Sequence, residues 1–187
     1  LSRYRSGDAV AMDQLVDRHG GSIYAFVRRF LGPSSAVDDL TQDVWLRVIR
    51  RSGSFDGRSR FTTWLFTVTR NTCIDYLRRQ KRRRTAAPAG PDPTFHLDQL
   101  PDPGPPVVES LARRELTTFV EQAVSELPDP QREAFLLREQ TDLTFAEIAE
   151  MLGVPRETVK SRMRYALSHI RRVVRSKLGE EARTHGL

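Results

Sequence analysis

The sequence is poor in the residues that build disulfides, metal sites and membrane spans. It has one cysteine, Cys73, among 187 residues, so no disulfide can form within the chain. No apolar run approaches the ~20 residues that a membrane-spanning helix needs. No signal peptide is visible, although the chain begins at Leu1, and we expect a cytoplasmic protein without membrane insertion. The histidines lack the spacing of metal ligands, so we predict no metal or other cofactor; they are His19, His96, His169 and His185.

Charge and proline are abundant but unevenly distributed. The chain has a formal charge of +6, of which residues 1–84 contribute +9, residues 85–108 contribute −3 and residues 109–187 contribute zero. The middle stretch holds seven of the eleven prolines and no Lys or Arg, which is typical of an extended linker. We therefore predict two domains, 1–84 and 109–187, joined by a flexible, acidic, Pro-rich linker over 85–108.

Both predicted domains show helical periodicity, and no segment shows sustained strand alternation. In the first domain, apolar residues recur at helical spacing over about 9–19, 23–31, 33–49 and 60–79. We expect Val16 and Ile49 to face inward, and Cys73 to be packed rather than reactive. The predicted fold class is all-α: two small helical domains, the C-terminal one containing a helix-turn-helix.

The helix-turn-helix pattern lies between residues 143 and 172. Thr144 and Glu147 form a capping-box pattern before a short apolar helix. Gly153 ends that helix, and Pro155 suits the first turn of the next. The second helix has one apolar stripe at helical spacing: Val159, Met163, Ala166, Leu167 and Ile170.

The second helix is also densely basic. Residues 156–177 contain eight Lys/Arg and one Glu, whereas residues 109–154 contain four Arg and ten Asp/Glu. A tight turn followed by a basic helix is what reading a DNA major groove requires. A solvated basic surface is the alternative, but the segregation of charge favours DNA binding. The side chains on the polar face are Arg156, Lys160, Ser161 and Arg164.

Two sets of residues in the N-terminal half are further candidates for binding. Asp39, Gln42 and Asp43 share one helix face because they are three and four residues apart, although an ordinary solvated acidic face would look the same. A loop over 55–60 and a residue of the following helix supply an aromatic wall and polar groups, as a pocket for an unstacked base needs. These residues are Phe55, Gly57, Arg58, Ser59 and Asn71.

Two alternatives remain open in this region. Phe55 is as well explained by a core aromatic that anchors the loop, and we interpret Trp64 as a core residue. The run over 78–84, which begins with Arg78 and Arg79, places six positive charges in seven residues. It could be a solvated helix end stabilised by the helix dipole, or a phosphate contact, and both can hold.

Three motifs, in this order, resemble the bacterial extracytoplasmic-function sigma factors, the small two-domain specificity subunits of RNA polymerase. Residues 38–48, DDLTQDVWLRV, resemble the polymerase-binding helix of sigma region 2. Residues 55–83 resemble the loop and helix that open and read the −10 promoter element. Residues 127–172 resemble region 4, which reads the −35 element. The match ends with this third motif, so we expect no appended domain.

The resemblance implies a protein that binds core RNA polymerase and directs it to promoter DNA. The phosphodiester chemistry would belong to the polymerase, so we predict no enzyme activity. The linker would thread the nucleic-acid channels of the polymerase. An anti-sigma factor that masks the polymerase- and DNA-binding faces is an expected partner.

The resemblance also implies roles for individual residues. Asp39, Gln42 and Asp43 would meet the clamp helices of the largest polymerase subunit. Phe55 and Asn71 would flank the pocket for a flipped −10 base, with residues 57–62 as its specificity loop. The −35 contacts would come from Lys160, Ser161, Arg162 and Arg164.

Two other classes of function compete with this interpretation. A stand-alone helix-turn-helix repressor or activator would bind duplex DNA without polymerase, usually as a dimer, but no dimerisation helix is evident. A nuclease or other enzyme would need carboxylates clustered with histidine, a Gly-rich phosphate loop or a nucleophile motif, and we find none in the sequence.

Overall fold

A computed structural model describes residues 1–32, 34–86 and 111–184, with side chains over 1–32, 34–83 and 116–179. Within these ranges the chain is helical and has no strand, which confirms the all-α prediction. Pro33 and most of the predicted linker lie outside the described residues. The helices are α1 (Ser2–Arg5), α2 (Val10–Leu31), α3 (Val37–Arg50), a 3-10 turn (Ser52–Ser54), α4 (Phe61–Ala86), α5 (Leu111–Ser125), α6 (Asp129–Gln140), α7 (Phe145–Leu152) and α8 (Arg156–Thr184).

Helix α2 is one continuous helix where the sequence predicts two, over about 9–19 and 23–31. It runs without a break through Gly20 and Gly21, although each glycine costs a helix about 1 kcal/mol relative to alanine. Both of its ends bury apolar residues in the same core, and this packing outweighs the local preference of the glycines. The buried residues are Ala11, Met12, Ile23, Phe26, Val27 and Phe30. The prediction that Val16 faces inward was wrong, since it is 38% exposed.

Helices α2, α3 and α4 pack together around Phe26, Val44 and Leu65. Helix α4 extends to Ala86, two residues into the predicted linker. Its interior contains two fully buried threonines, Thr69 and Thr72, and each hydroxyl is paired because it donates to the carbonyl four residues earlier.

Cys73 lies in this core as predicted. It is fully buried, and burial raises the pKa of its thiol to about 12. The thiol therefore stays protonated at neutral pH and is a poor nucleophile.

The predicted helix-turn-helix is present as α7 and α8. Thr144 and Glu147 make both hydrogen bonds of the capping box, and Gly153 ends α7 with a φ of +64°. Pro155 directly precedes α8 and accepts the amide of Thr158 at 2.9 Å. The predicted stripe of α8 faces inward: Val159, Met163, Ala166 and Ile170 are buried, and Leu167 is half-buried.

Helix α6 joins the two halves of the molecule. It packs against α2 on one side and α8 on the other, while α7 lies against α4. Four consecutive residues, from Ala134 to Leu137, are buried because the helix is covered on more than one face. The C-terminal helices therefore sit directly on the N-terminal bundle.

Candidate polymerase and nucleic-acid interfaces

The acidic face of α3 contains two exposed residues and one residue that is bonded within the domain. Asp39 and Gln42 are exposed. Asp43 is half-buried and accepts a hydrogen bond from Nε of Arg47 at 3.1 Å. Arg47 also donates to Asp75 of α4 at 2.9 Å, so Asp43 helps to hold α3 against α4. Asp39 and Gln42 are the residues of this set that are free to meet a partner.

Two apolar residues extend the same face. Leu46 and Ile49 are 43% and 36% exposed, and each lies seven residues after Asp39 or Gln42. The prediction that Ile49 faces the core was wrong, because Val48 beside it takes the buried position. Positions 39, 42, 46 and 49 recur at helical spacing and therefore share one face of α3. The sequence alone could have placed Leu46 and Ile49 on the face of Asp39 and Gln42.

Phe55 lies in an aromatic cluster at the start of α4. Its ring centroid is 5.8 Å from that of Phe61 and 5.6 Å from that of Trp64. Its carbonyl accepts a hydrogen bond from Arg5 at 3.3 Å. Phe55 and Trp64 are both half-buried, so an anchoring and a base-contacting role are compatible for Phe55.

The loop after Phe55 presents polar groups to solvent. Gly57 has a φ of +76°, and a Cβ there would meet nothing within 4 Å, so backbone conformation rather than space calls for glycine. Asp56 accepts the amide of Arg58 at 3.0 Å, which holds the turn. The Arg58 side chain is 90% exposed, and Ser59 is also exposed.

Asn71 lies further along α4 than the aromatic cluster. It is seven residues beyond Trp64, or about 10 Å along the helix at 1.5 Å per residue. Asn71 is half-buried, and its Oδ1 accepts a hydrogen bond from Arg70 at 3.2 Å. Arg78 and Arg79 follow two turns later on α4 and are exposed, as a phosphate contact requires.

The recognition helix α8 exposes Arg156, Lys160 and Arg164 four residues apart on one face. Lys160 is 2.7 Å from Glu157, and this hydrogen bond lowers the pKa of the Glu157 carboxyl. Two other predicted contacts, Ser161 and Arg162, are half-buried at the edges of this face, and the Ser161 hydroxyl donates to the carbonyl of Thr158 at 2.9 Å.

Tyr165 is a surface residue of α8 that the sequence-based prediction missed. It is 58% exposed, and the guanidinium of Arg164 lies 5.5 Å from its ring centroid. The sequence could have indicated that Tyr165 is exposed, because it lies outside the apolar stripe of α8. Further along α8, the surface has an open depression that is lined by four arginines: Arg164, Arg171, Arg172 and Arg175.

In the part of the chain that the structure describes, no helix combines the length and the hydrophobicity that crossing a bilayer demands. The same residues contain no group of three or more His, Cys, Asp or Glu side chains arranged to hold a metal ion.

Comparison with known families defines the class of this protein. Sigma-70 region 2 matches residues 15–83, and Sigma-70, region 4 matches residues 123–172. The chain is 32% identical over 174 residues to the ECF RNA polymerase sigma factor SigM of Mycobacterium tuberculosis, covering 93% of this chain and 82% of SigM. It is 31% identical over 169 residues to the ECF RNA polymerase sigma-E factor of Escherichia coli, covering 87% and 86%. The chain belongs to the ECF RNA polymerase sigma factors.

Solved structures share its fold. The sigma factor RpoE from Bartonella quintana, in complex with the anti-sigma factor NepR, matches with a TM-score of 0.68 and 20% identity over 87% of this chain and 96% of RpoE. CnrH, in complex with the cytosolic domain of CnrY, matches with a TM-score of 0.66 and 24% identity over 94% of each chain. Family membership selects a promoter-directing subunit of RNA polymerase over a stand-alone helix-turn-helix regulator.

Proposed function

We propose that this sigma factor reads the −35 element with the exposed face of α8 and the −10 element with the 55–60 loop and α4. It would hold core RNA polymerase through the exposed face of α3. The observation that carries the proposal is the division of α8 into a buried apolar stripe and a basic face. A helix so divided can lie on its own domain and enter a major groove at the same time.

In the −35 complex, Arg156, Lys160 and Arg164 supply the exposed charge. Arginine can pair with O6 and N7 of guanine, which is worth ~1–3 kcal/mol of discrimination for a good bidentate contact. The ring of Tyr165 restricts the neighbouring guanidinium and offers an apolar surface for a thymine methyl group. Ser161 and Arg162 lie at the edges of the face, where a backbone contact is more accessible than a base.

In the −10 complex, the exposed edge of the Phe55 cluster would stack on an unpaired base. Arg58 and Ser59 would supply the polar groups for its edge. Arg78 and Arg79 would neutralise phosphates without regard to sequence, which makes this part of the binding sensitive to salt.

The polymerase-binding face combines polar and apolar residues. Asp39 and Gln42 would give it specificity, and Leu46 and Ile49 would bury apolar surface that is exposed in the free protein. Asp43 would act indirectly, by orienting Arg47 and fixing the helix.

We infer that the protein works in the cytoplasm and is held inactive there by an anti-sigma factor. The sigma factor RpoE, which shares this fold, was solved in complex with the anti-sigma factor NepR, and CnrH was solved in complex with the cytosolic domain of CnrY. The exposed apolar residues of α3 would offer such a partner a surface to cover.

Run-off transcription with purified bacterial core polymerase tests the proposed function. A library of promoter fragments is transcribed with and without this protein. We expect promoter-specific transcripts only when both proteins are present, and their start sites would identify the two promoter elements. An absence of transcripts, with tight sequence-specific binding of the protein alone to duplex DNA, would contradict the proposal.

A further inference from the structure

The short helix α1 lies beside the loop that begins at Phe55. The guanidinium of Arg5, the last residue of α1, donates to the carbonyl of Phe55 at 3.3 Å, across 50 residues of sequence. Arg5 is exposed, so its long side chain gives up rotational freedom to make this contact. The hydrogen bond restrains the main chain at the residue whose ring we place against the unpaired −10 base.

Helix α1 is itself held against α2. Arg3 and Asp8 form a salt bridge at 2.7 Å, and Asp8 accepts the amide of Ala11, at the start of α2, at 3.2 Å. Tyr4 is half-buried and packs against the apolar core. A helix of four residues has little stability of its own, so these contacts determine where Arg5 lies.

An open depression of about 500 Å³ lies between α1 and the 3-10 turn that leads into Phe55. The turn is tied to the end of α3, where the amide of Ser54 donates to the carbonyl of Arg51 at 2.8 Å. Because the side of the turn that faces α1 is not closely packed, the hydrogen bond from Arg5 restrains Phe55 where side-chain packing does not. The depression is lined by Tyr4, Arg5, Gly7, Ala9, Ser52 and Gly53.

The ring and the main chain of Phe55 are therefore restrained by different helices. The ring packs against Phe61 and Trp64 of α4, with centroids 5.8 and 5.6 Å away, whereas the carbonyl is held by Arg5 of α1. An aromatic side chain that is ordered before its ligand arrives loses less conformational entropy when the ligand stacks on it.

We propose that Arg5 is a positioning residue for promoter melting, which holds Phe55 ready to stack on the flipped −10 base. The inference rests on the proposed function, because it needs a base to reach Phe55. Arg5 acts through Phe55 and not through a DNA phosphate. Its loss slows promoter opening and leaves the binding of closed duplex unchanged, because the closed complex contains no unstacked base.

Promoter opening by the holoenzyme of core polymerase and this chain tests the role of Arg5. Opening is followed with a fluorescent base analogue at the −10 element of a promoter found by the run-off assay, and binding to closed duplex is measured separately. We expect Arg5→Ala to open the promoter about fivefold more slowly than the parent, the effect of one hydrogen bond worth ~1 kcal/mol.

Arg51→Ala is the matched control for the change in charge. Arg51 is exposed and lies four residues before Phe55, and its replacement by alanine removes the same positive charge close to the same loop. We expect this variant to open the promoter at the rate of the parent. A loss in Arg51→Ala equal to that in Arg5→Ala would reduce the effect to general electrostatics and overturn the role.

A double-mutant cycle shows whether Arg5 acts through Phe55. In the Phe55→Ala background, Arg5→Ala should cause no further loss, because no ring remains to be positioned. Salt dependence separates this role from a direct phosphate contact, whose removal reduces the salt slope by about 1. We expect open-complex formation by Arg5→Ala to keep the salt slope of the parent.

Three results would overturn the role of Arg5. They are an opening rate equal to that of the parent, an equal fivefold loss in the Phe55→Ala background, and a salt slope reduced by about 1. A lower melting temperature with equal losses in closed binding and opening would also overturn it, by making Arg5 a purely structural residue. Failure of the proposed function looks different, because the parent itself would then support no promoter-specific transcription with core polymerase.

Discussion

The guanidinium of Arg164 lies 5.5 Å from the ring centroid of Tyr165, on the exposed face of the recognition helix. An arginine over an aromatic ring keeps its charge while losing part of its rotational freedom. The pair is therefore ordered before DNA arrives, and less conformational entropy is lost on binding.

Replacing Arg164 by alanine should reduce discrimination at the −35 element. We expect the polymerase holoenzyme to lose ~1–3 kcal/mol of preference for the correct −35 base pair, while binding to a mutated −35 element changes little. Arg171→Ala, further along the same helix, is the control and should weaken binding to all sequences and reduce the salt slope by about 1. Competition binding across a set of −35 variants measures both effects. If Arg164→Ala weakened binding equally on every sequence, Arg164 would contact the phosphate backbone and not a base.

Reversing the charge of Asp39 should weaken binding to core polymerase without unfolding the domain. Asp39 is exposed, so its replacement by arginine removes no contact of the core. Asp38→Arg, exposed at the neighbouring position of α3, makes the same change in charge and should have a smaller effect. Affinity is measured by titration of labelled sigma factor with core enzyme, and helicity by circular dichroism. An Asp39→Arg variant with the affinity of the parent would remove this residue from the interface.

Replacing Phe55 by alanine should impair promoter melting more than initial binding. Loss of one base–aromatic stack costs ~1–3 kcal/mol, and that stack exists only after the base has left the duplex. Binding to duplex promoter and opening, detected with a fluorescent base analogue at the −10 element, are measured separately. Equal loss of both steps, together with a lower melting temperature, would mean that Phe55 only supports the aromatic cluster.

Acid should weaken the start of α7 through Glu147. The amide of Thr144 lowers the pKa of this carboxyl most, and the hydroxyls of Thr144 and Thr63 and the charge of Arg60 act in the same direction against burial. The folded protein thus binds this proton more weakly than the unfolded chain does. The stabilisation is complete above the ordinary pKa of glutamate and is lost as the pH falls through the lowered pKa.

Urea denaturation across this acidic range checks the expectation. Glu147→Gln keeps a capping side chain but does not titrate, so its stability should depend less on pH than that of the parent. Glu150→Gln, exposed on the same helix outside the capping box, should leave the profile unchanged. Parallel profiles for the parent and Glu147→Gln would contradict the assignment.

Replacing each of two glycines by alanine should change the stability of the protein in opposite directions. Gly153 has a φ of +64°, where a side chain costs about 1 kcal/mol or more, so Gly153→Ala should lower the melting temperature. Gly21 lies inside α2 with open space where the Cβ of an alanine would lie, so Gly21→Ala should stabilise the protein by roughly 0.5–1 kcal/mol. Each kcal/mol corresponds to a shift of roughly 2–4 °C, which thermal unfolding resolves. A destabilised Gly21→Ala variant would mean that α2 bends at this position.

Local sequence patterns were sufficient to predict the helix-turn-helix. The capping box at Thr144, the left-handed Gly153 and the stripe from Val159 to Ile170 act over four residues or fewer at a time. Such interactions form within one or two helical turns, so they can be read without knowing the rest of the fold. The same holds for the family motifs, which are continuous in sequence.

Long-range packing decided the rest. Helix α2 continues through Gly20 and Gly21 because residues toward both of its ends are buried in a core that α3, α4 and α6 also build. Ile49 is exposed because α3 turns Val48 rather than Ile49 toward the bundle. Arg70 and Glu133 are 63 residues apart, and no periodicity in either segment pairs them. An ion pair of this kind depends on where two helices cross, which is set by the summed burial of many side chains and not by the residues of either helix alone.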